Sequence, residues 1–385
     1  MENKLLSIVL QNYHRIENLK YVLKSLSELD FNNDDVEIIV CSYEYSDELY
    51  NKIQEYSSDI SISVFFSNSS WNISKARNNC ISLARGKYIV FIDADILCPV
   101  DTLNKIMDFY NNVNSECMQI GFLYGYDERT SVEYYENKDY SFYQNYLQND
   151  KRPEMNIDYR FENDTSVLPW AFCWTAFVVV PREKLIKNNL FFDEGFTGWG
   201  AEDIEWAYRI YKSGIDIEFN RDIWAIHLPH KRDSRKNFEQ NQNNYYLFLK
   251  KTNELEVEMV GGLGDIRANR LYYDMKNYFS ELEEENGGRI SVAECLEGDK
   301  RVLYVGVIVN TDNEINDISF SGNDIVNVYN LIGFYLPYTD NYFDVIYTMP
   351  LFDKYPEEYK KYIFRELNRL SGRIIPALSK MKDSE

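Results

Sequence analysis

The chain has 385 residues, more than one hydrophobic core usually organises, so two domains are expected and a single small domain is excluded. Hydrophobic residues at 45% and charged ones at 27% exclude wholesale disorder, collagen-like repeats and coiled coil. With 41 Lys and Arg against 62 Asp and Glu the formal charge is -21, so no nucleic acid partner is expected. A nucleotide would have to be held locally, by a metal ion, a few basic side chains or helix N-termini.

Residues 5–10 (LLSIVL) predict a strand, and Leu19, Val22, Leu23 and Leu26, recurring at three and four, predict a helix after it. Residues 36–41 predict a second strand, 48–56 a helix capped at Ser46 or Asp47, and 62–66 a third strand; the alternation predicts a parallel sheet. Residues 76–84 read as a helix stopped by Gly86, and 87–92 (KYIVFI) as a central strand, apolar on both faces, ending in Asp93-Ala94-Asp95. Open α/β sheets place ligands at the carboxyl ends of their strands, which is where these two acids stand.

Residues 121–165, rich in Tyr, Asn, Asp and Glu, predict long loops and irregular helices rather than a separate core, an insertion of the kind that often contacts substrate. Residues 170–180 predict a long strand ended by Pro181, and 182–187 a short helix. The densest motif follows at 192–203 (FDEGFTGWGAED), leading into a helix over 204–213. Strands are expected over 215–219 and 223–226, the second running into His227-Leu228-Pro229-His230, and a basic, Asn-rich stretch to about Lys251 predicts an exposed closing helix. The expected domains are residues 1–250, a helical linker over 251–298, and a small α/β domain over 299–385. In the tail, helices are predicted over 269–285 and 356–370 and strands over 301–309, 343–349 and 373–377, with the acidic cluster 281–285 as a solvated helix face.

Cys41, Cys80, Cys98, Cys117, Cys173 and Cys295 form no CxxC pair and are expected as reduced core residues. The N-terminal apolar stretch is too short for a signal peptide, and the longest apolar run, 168–181, is below the ~18 residues of a spanning helix. A cytoplasmic chain without a transmembrane segment is expected, with peripheral membrane association and oligomeric state left open. The N-x-S/T triplets at Asn68, Asn72 and Asn163 are expected to be chance matches.

Asp93 and Asp95, two apart on an extended chain end, project to one side and can bring hard oxygen ligands to one Mg²⁺ or Mn²⁺ that would hold a diphosphate. Read alone, a D-x-D is also plain turn chemistry, and Glu202 and Asp203 are also what the macrodipole favours in the first turn of a helix. His227 and His230 read either as a surface loop or as the H-x-x-H that completes a metal shell begun by Asp95; His14 reads as a polar residue at a sheet edge.

Taken in order, these motifs resemble a known family. Residues 5–235 are similar to GT-A-fold, family-2-type glycosyltransferases, with SIVLQNYHR resembling the opening strand and NISKARNN followed by ARGKYIVFIDAD resembling the donor-site core. FDEGFTGWGAEDIEWAYRIYKSG resembles the acceptor-side motif of galactosyl- and N-acetylgalactosaminyltransferases and of chondroitin-polymerase-like enzymes. The resemblance implies an α/β, Rossmann-like nucleotide-diphospho-sugar transferase domain. It implies Asp95 as main metal ligand, Asp93 near the ribose or a metal-bound water, and His230 or His227 as distal ligand. It further implies Asp203 as base and Glu202 as holder of a sugar hydroxyl, with Trp199, Gly200 and Trp170 towards the acceptor or sugar. Gln11, Tyr13 and Arg15 would line the nucleotide pocket, and Lys75 or Arg77 would add a donor to phosphate or base. The acid that relatives carry after the second strand has no obvious counterpart in Val40-Cys41-Ser42-Tyr43-Glu44.

Inverting transfer needs a base on one face of the anomeric carbon and stabilisation of a departing diphosphate on the other. The expectation is therefore a hexosyltransferase using Mn²⁺ or Mg²⁺ and a UDP-sugar to transfer a hexose or N-acetylhexosamine to a glycan or peptide acceptor. The alternatives are a retaining N-acetylgalactosaminyltransferase-type enzyme and a catalytically idle nucleotide- or carbohydrate-binding module. The tail (RVLYVGVIVN, then LPYTDNYFDVIYTMP) faintly resembles class I methyltransferases, without their glycine-rich loop, and is expected to be a degenerate accessory domain.

Overall fold

β1 (Leu6–Asn12) and β4 (Tyr88–Ile92) are buried on both faces, as strands with no polar alternation must be in a sheet covered from two sides. They pair in parallel, Leu6 opposite Tyr88 and Val9 opposite Phe91. This computed structural model describes residues 4–57, 60–125, 138–153, 158–231, 233–310, 315 and 324–376. Parts of the expected loop region (126–137 and 154–157), Arg232 and the end of the last expected strand at Ala377 lie outside the described residues. The chain divides into two units, residues 1–163 with 169–241, and residues 164–168 with 242–385.

The sheet of the first unit has the order β3-β2-β1-β4-β7-β6-β8-β5, with β2 at Val36–Ser42, β3 at Ser61–Phe66, β5 at Ile96–Leu97, β6 at Met118–Gly125, β7 at Phe177–Pro181 and β8 at Ile217–His227. β3, β2, β1 and β4 are parallel, as the alternating pattern predicts. From β7 onward the sheet is mixed: β7 is antiparallel to β4 and β6, and β5 to β8. The chain enters β7 at the end where β6 finished, and without a return crossover the two strands can pair only antiparallel.

Helix α1 (Ile16–Ser27) buries Leu19, Val22, Leu23 and Leu26, the face their spacing defines. In α2 (Asp47–Tyr56) the Ser46 hydroxyl accepts the Leu49 N–H at 3.0 Å, the expected cap. α3 (Ile73–Leu83) starts three residues earlier than its apolar pattern, because the Asn72 side chain caps it by accepting the Lys75 N–H at 2.8 Å. Gly86 is not the stop of that helix, which ends at Leu83 with Ala84 as its C-cap. An added Cβ at Gly86 would lie 2.5 Å from the Ser7 backbone nitrogen, so glycine is required there by close approach to β1.

The expected strand over 170–180 is a correction: Pro169–Phe172 is a 3-10 turn, and only Phe177–Pro181 is strand. Pro169 sets a helical φ, and a run apolar at every position does not distinguish a buried turn from a strand. The two strands expected over 215–226 are the single strand β8. Helices α4 (Thr102–Asn112), α5 (Tyr140–Gln148), α6 (Arg182–Lys187), α7 (Glu202–Lys212) and α8 (Ser234–Thr252) follow. α8 is not exposed throughout, since Tyr245, Tyr246, Phe248 and Leu249 are buried. All six cysteines are free and buried.

The second unit contains α9 (Leu255–Leu263), α10 (Asp265–Asn286) and α11 (Glu357–Leu370) around a sheet of order β11-β9-β10-β12-β13. Its strands are β9 (Arg289–Glu297), β10 (Lys300–Val309), β11 (Asp324–Tyr329), β12 (Val345–Thr348) and β13 (Ile374–Pro376). The expected linker over 251–298 is corrected: α9, α10 and β9 are integral parts of this unit, which begins at residue 242 rather than 251. Glu258 on α9 is fully buried, and its carboxylate accepts the N–H groups of Ile332, Gly333 and Phe334 at 2.8, 2.6 and 2.7 Å. Among the described residues, no helix is long and apolar enough to cross a membrane.

Candidate active site

Asp95 meets the two histidines through backbone pairing. The two-residue strand β5 pairs with the end of β8, Ile96 opposite His227, and the Leu228 N–H donates to the Asp95 carbonyl at 2.8 Å. Asp95 Oδ2 then lies 3.1 Å from His230 Nδ1, and Asp95 Oδ1 3.8 Å from His227 Nε2, with one donor atom from each of the three side chains within 4.8 Å of the others. Arg15 Nε stands 3.7 Å from Asp95 Oδ2. One carboxylate oxygen with two imidazole nitrogens is a donor set that first-row divalent cations accept. Both histidines converge on the same acid, so the choice left open between them is not forced.

Asp93 and the two acids of α7 meet on a single guanidinium. Arg77, on α3 and only 2% exposed, donates from Nη1 to Glu202 Oε1 at 2.9 Å and places Nη2 3.6 Å from Asp93 Oδ1. Its other face covers the Phe192 ring at 5.2 Å. Burial opposes the guanidinium charge, but Glu202, Asp93 and Asp203 outweigh it and raise the Arg77 pKa. Arg77 thus bridges Asp93, at the end of β4, and the acids of α7. Gln11, the penultimate residue of β1, donates its Nε2 hydrogen to Asp93 Oδ1. Enclosure by protein raises the Asp93 pKa, with the neighbouring Asp95 charge adding and Arg77 opposing, although 32% of the side chain stays accessible.

Asp203 differs from Glu202. Burial, then the charge of Glu202, pushes its carboxyl up to about 7, with Arg77 opposing. Its Oδ1 accepts the N–H of Ile204 at 2.9 Å. Glu202 is 6% exposed, and its Oε2 has no hydrogen-bond partner among the described residues.

The loop that delivers these acids is clasped by α3. Asn72 Nδ2 donates to the carbonyls of Glu194 and Phe196 at 3.0 and 3.1 Å, and Asn78 exchanges two bonds with the Phe192 backbone at 2.9 and 2.8 Å. Trp206 anchors the far side, stacked on Phe192 at 4.3 Å with its Nε1 donating to the Leu190 carbonyl. Ala201 turns into α7 at φ 63°, left-handed backbone that a non-glycine residue adopts only when the surroundings impose it. Gly200 has φ 94° and packs against the Asn241 side chain, while Trp199 is 45% exposed.

Other sequence expectations resolve differently. Tyr13 is partly exposed and stacks on Trp71, rings 5.0 Å apart and 12° from parallel, while Tyr43 meets the same indole edge-on at 5.1 Å. Lys75 is exposed, and its bond to Asn72 comes from the backbone. Trp170 is corrected: it is fully buried against Tyr208 at 4.9 Å, so it presents no surface to a sugar. Glu44, two residues past β2, accepts from the His14 backbone at 2.9 Å and lies 2.7 Å from His14 Nδ1. Asn12 also reaches it, at 3.3 Å. A tight turn after β2 brings it back to β1, and no local pattern marks such a return.

Residues 7–179 match the family model described as Glycosyl transferase family 2. The chain is 26% identical over 288 residues to the validoxylamine A glucosyltransferase of Streptomyces hygroscopicus subsp. jinggangensis, covering 70% of this chain and 68% of that one. It is 23% identical over 309 residues to the uncharacterized glycosyltransferase YfnE of Bacillus subtilis, covering 70% and 77%. Among solved structures it is similar to residues 1-349 of S. aureus TarS in complex with UDP, with a TM-score of 0.48, 16% identity and 74% of each chain covered.

Proposed function

We propose that the protein is a glycosyltransferase of the family-2 type on a GT-A fold, an inverting, cation-dependent enzyme using a UDP-sugar, with Asp203 as base. The observation that carries this reading is Arg77, whose one guanidinium faces both Asp93 beside the Asp95 cluster and Glu202 beside Asp203. Donor and acceptor chemistry thereby share one place at the carboxyl ends of β1 and β4.

Asp95, His230 and His227 would hold the cation, and a set with two imidazoles favours Mn²⁺ over the harder Mg²⁺. When bound, the cation neutralises charge on the departing diphosphate. Arg15 adds a second positive charge beside Asp95. Gln11 orients Asp93 through its amide hydrogen, and Tyr13 with Trp71 offers a flat aromatic wall suited to a nucleobase.

On the acceptor side, Asp203 is matched to proton uptake near neutral pH, because its affinity for a proton is raised to about 7. The acceptor oxygen attacks the anomeric carbon, the bond from that carbon to the diphosphate oxygen breaks, and the hydroxyl proton passes to an Asp203 carboxylate oxygen. Glu202 is engaged at Oε1 by Arg77, leaving Oε2 to accept from a sugar hydroxyl. Exposed Trp199 offers an apolar face for a sugar ring. A hexose is the donor sugar proposed, in keeping with the glucosyltransferase among the relatives, and a glycan hydroxyl the acceptor.

UDP release over a panel of UDP-sugars, with Mn²⁺ and then with chelator, tests the donor and cation. Product anomer analysis by NMR tests the stereochemistry. Release from one sugar, lost on chelation, is the expected result; a product that keeps the donor's anomeric configuration would overturn the role given to Asp203.

A further inference from the structure

The second unit has a cavity of its own, about 370 Å³, whose walls include Tyr246, Tyr329, Tyr338, Tyr342, Asn327 and Glu294. That volume is at the small end of ligand-binding pockets. Its polar centre is Glu294 on β9, which is 3% exposed and faces the edge strand β11. A bulge between Ile325 and Asn327 breaks the β11–β9 register and brings Asn327 opposite Glu294. Asn327 Nδ2 donates to Glu294 Oε2 at 2.6 Å, the Tyr338 hydroxyl to Oε2 at 3.0 Å and the Tyr342 hydroxyl to Oε1 at 3.2 Å.

This wiring restricts what the cavity accepts. A phenol hydroxyl has one hydrogen and two lone pairs, so Tyr338 and Tyr342, donating to Glu294, face any ligand as acceptors. Burial and the Glu294 charge raise the pKa of both phenols, so they keep their protons. These two oxygens therefore ask a ligand for hydrogen-bond donors, while Asn243, Asn327 and Lys250 on the same wall can donate to its oxygens, a pairing that a hydroxyl satisfies and an ionised phosphate or carboxylate does not. A cationic ligand is disfavoured as well. Arg301 already covers the Tyr342 ring at 4.5 Å, Arg369 lies 5.8 Å from the Tyr246 ring, and Lys250 is an exposed cation on the wall. What fits is a neutral molecule with O–H donors and apolar C–H faces to lay on tyrosine rings.

We propose that this cavity is a saccharide-binding subsite that takes a neutral sugar unit of the acceptor glycan. The assignment of the sugar to the acceptor rests on the transferase reading above; the binding of a sugar does not. It gives the second unit a role in substrate capture.

Saturation-transfer NMR on the intact protein tests it, with the methyl β-glycosides of glucose, galactose and N-acetylglucosamine as probes and tetramethylammonium as the cationic control. Saturation of at least one sugar is expected, weakened about tenfold or more in both Tyr342→Ala and Asn327→Ala. Both residues lie at or near the surface of the unit, and circular dichroism of each variant verifies that the fold is kept. UDP release without acceptor should be unchanged in both. Sugar signals unaltered in the folded variants, no signal from any of the three sugars, or saturation of tetramethylammonium instead would overturn the proposal. If the sugar binds as expected but wild-type protein releases no UDP from any donor, the transferase reading fails and the subsite stands.

Discussion

Arg77 and Glu202, 125 residues apart in sequence, are joined by a buried bond of 2.9 Å. The pair couples α3, behind Asp93, to the first turn of α7, where Asp203 also stands. Removing the cation would leave Glu202 buried and unpaired, with Asp93 and Asp203 close by.

Arg77→Leu is therefore expected to destabilise the first unit by about 3–5 kcal/mol, the usual cost of breaking a buried pair by deleting one partner. Thermal unfolding reads this directly. Arg77→Lys keeps a charge but loses the fork that faces two acids, so it should fall between the two and lose activity with less loss of stability.

Asp203→Asn separates chemistry from stability. Turnover should fall by about 10²–10⁴, the range that a positioned base contributes, with donor binding kept. Stability should rise, because the folded carboxyl titrates near 7 and the unfolded one near 3.8, so the folded state binds more protons between those values. Asp203 thus costs stability progressively as pH climbs from about 4 to 7, and fully above. The melting temperature gain of the variant should grow over that window and then level off; a gain greatest at pH 4 would contradict it.

The same group sets a pH limb on the reaction. With Asp203 as base, wild-type kcat should fall as pH drops below about 7, tenfold per unit once the carboxyl is protonated. Initial rates of transfer at saturating donor and acceptor measure it, and a rate that stays flat from pH 8 to 5 would remove Asp203 from the role.

Cation binding should follow the Asp95 geometry. Asp95→Ala is expected to abolish Mn²⁺ binding measured by calorimetry, and single alanine variants of His230 and His227 to weaken it by tenfold or more, His230 the more strongly since it is nearer Asp95 at 3.1 against 3.8 Å. Equal affinity in all three variants and wild type would place the cation elsewhere.

Much of this architecture is legible in the sequence. β4 reads as a central strand because YIVFI is apolar on both faces, and Asp93 and Asp95 then fall at its carboxyl end. The loop before α7 reads from its glycines and aromatics. The contacts that assemble the site do not read locally. β5 is two residues long, below any periodicity, yet it alone sets Ile96 against His227. Trp170 hid in an apolar run that is a turn. β9 hid because Glu294 interrupts its apolar pattern, and only the folded unit shows that Asn327, Tyr338 and Tyr342 satisfy that acid.

The pairing of β5 with β8 also has a consequence for synthesis. β1 to β4 have all been made by residue 92, but Asp95 meets its histidine partners only after residue 230 has emerged. Closing so long a stretch of chain is entropically slow, and strands that await distant partners expose apolar edges meanwhile. The growing chain therefore carries four strands without a finished sheet for well over a hundred residues. Asp95, His227 and His230 are among the last parts of the first unit to meet, so a cation held by the three, as proposed, would report that this unit has finished folding.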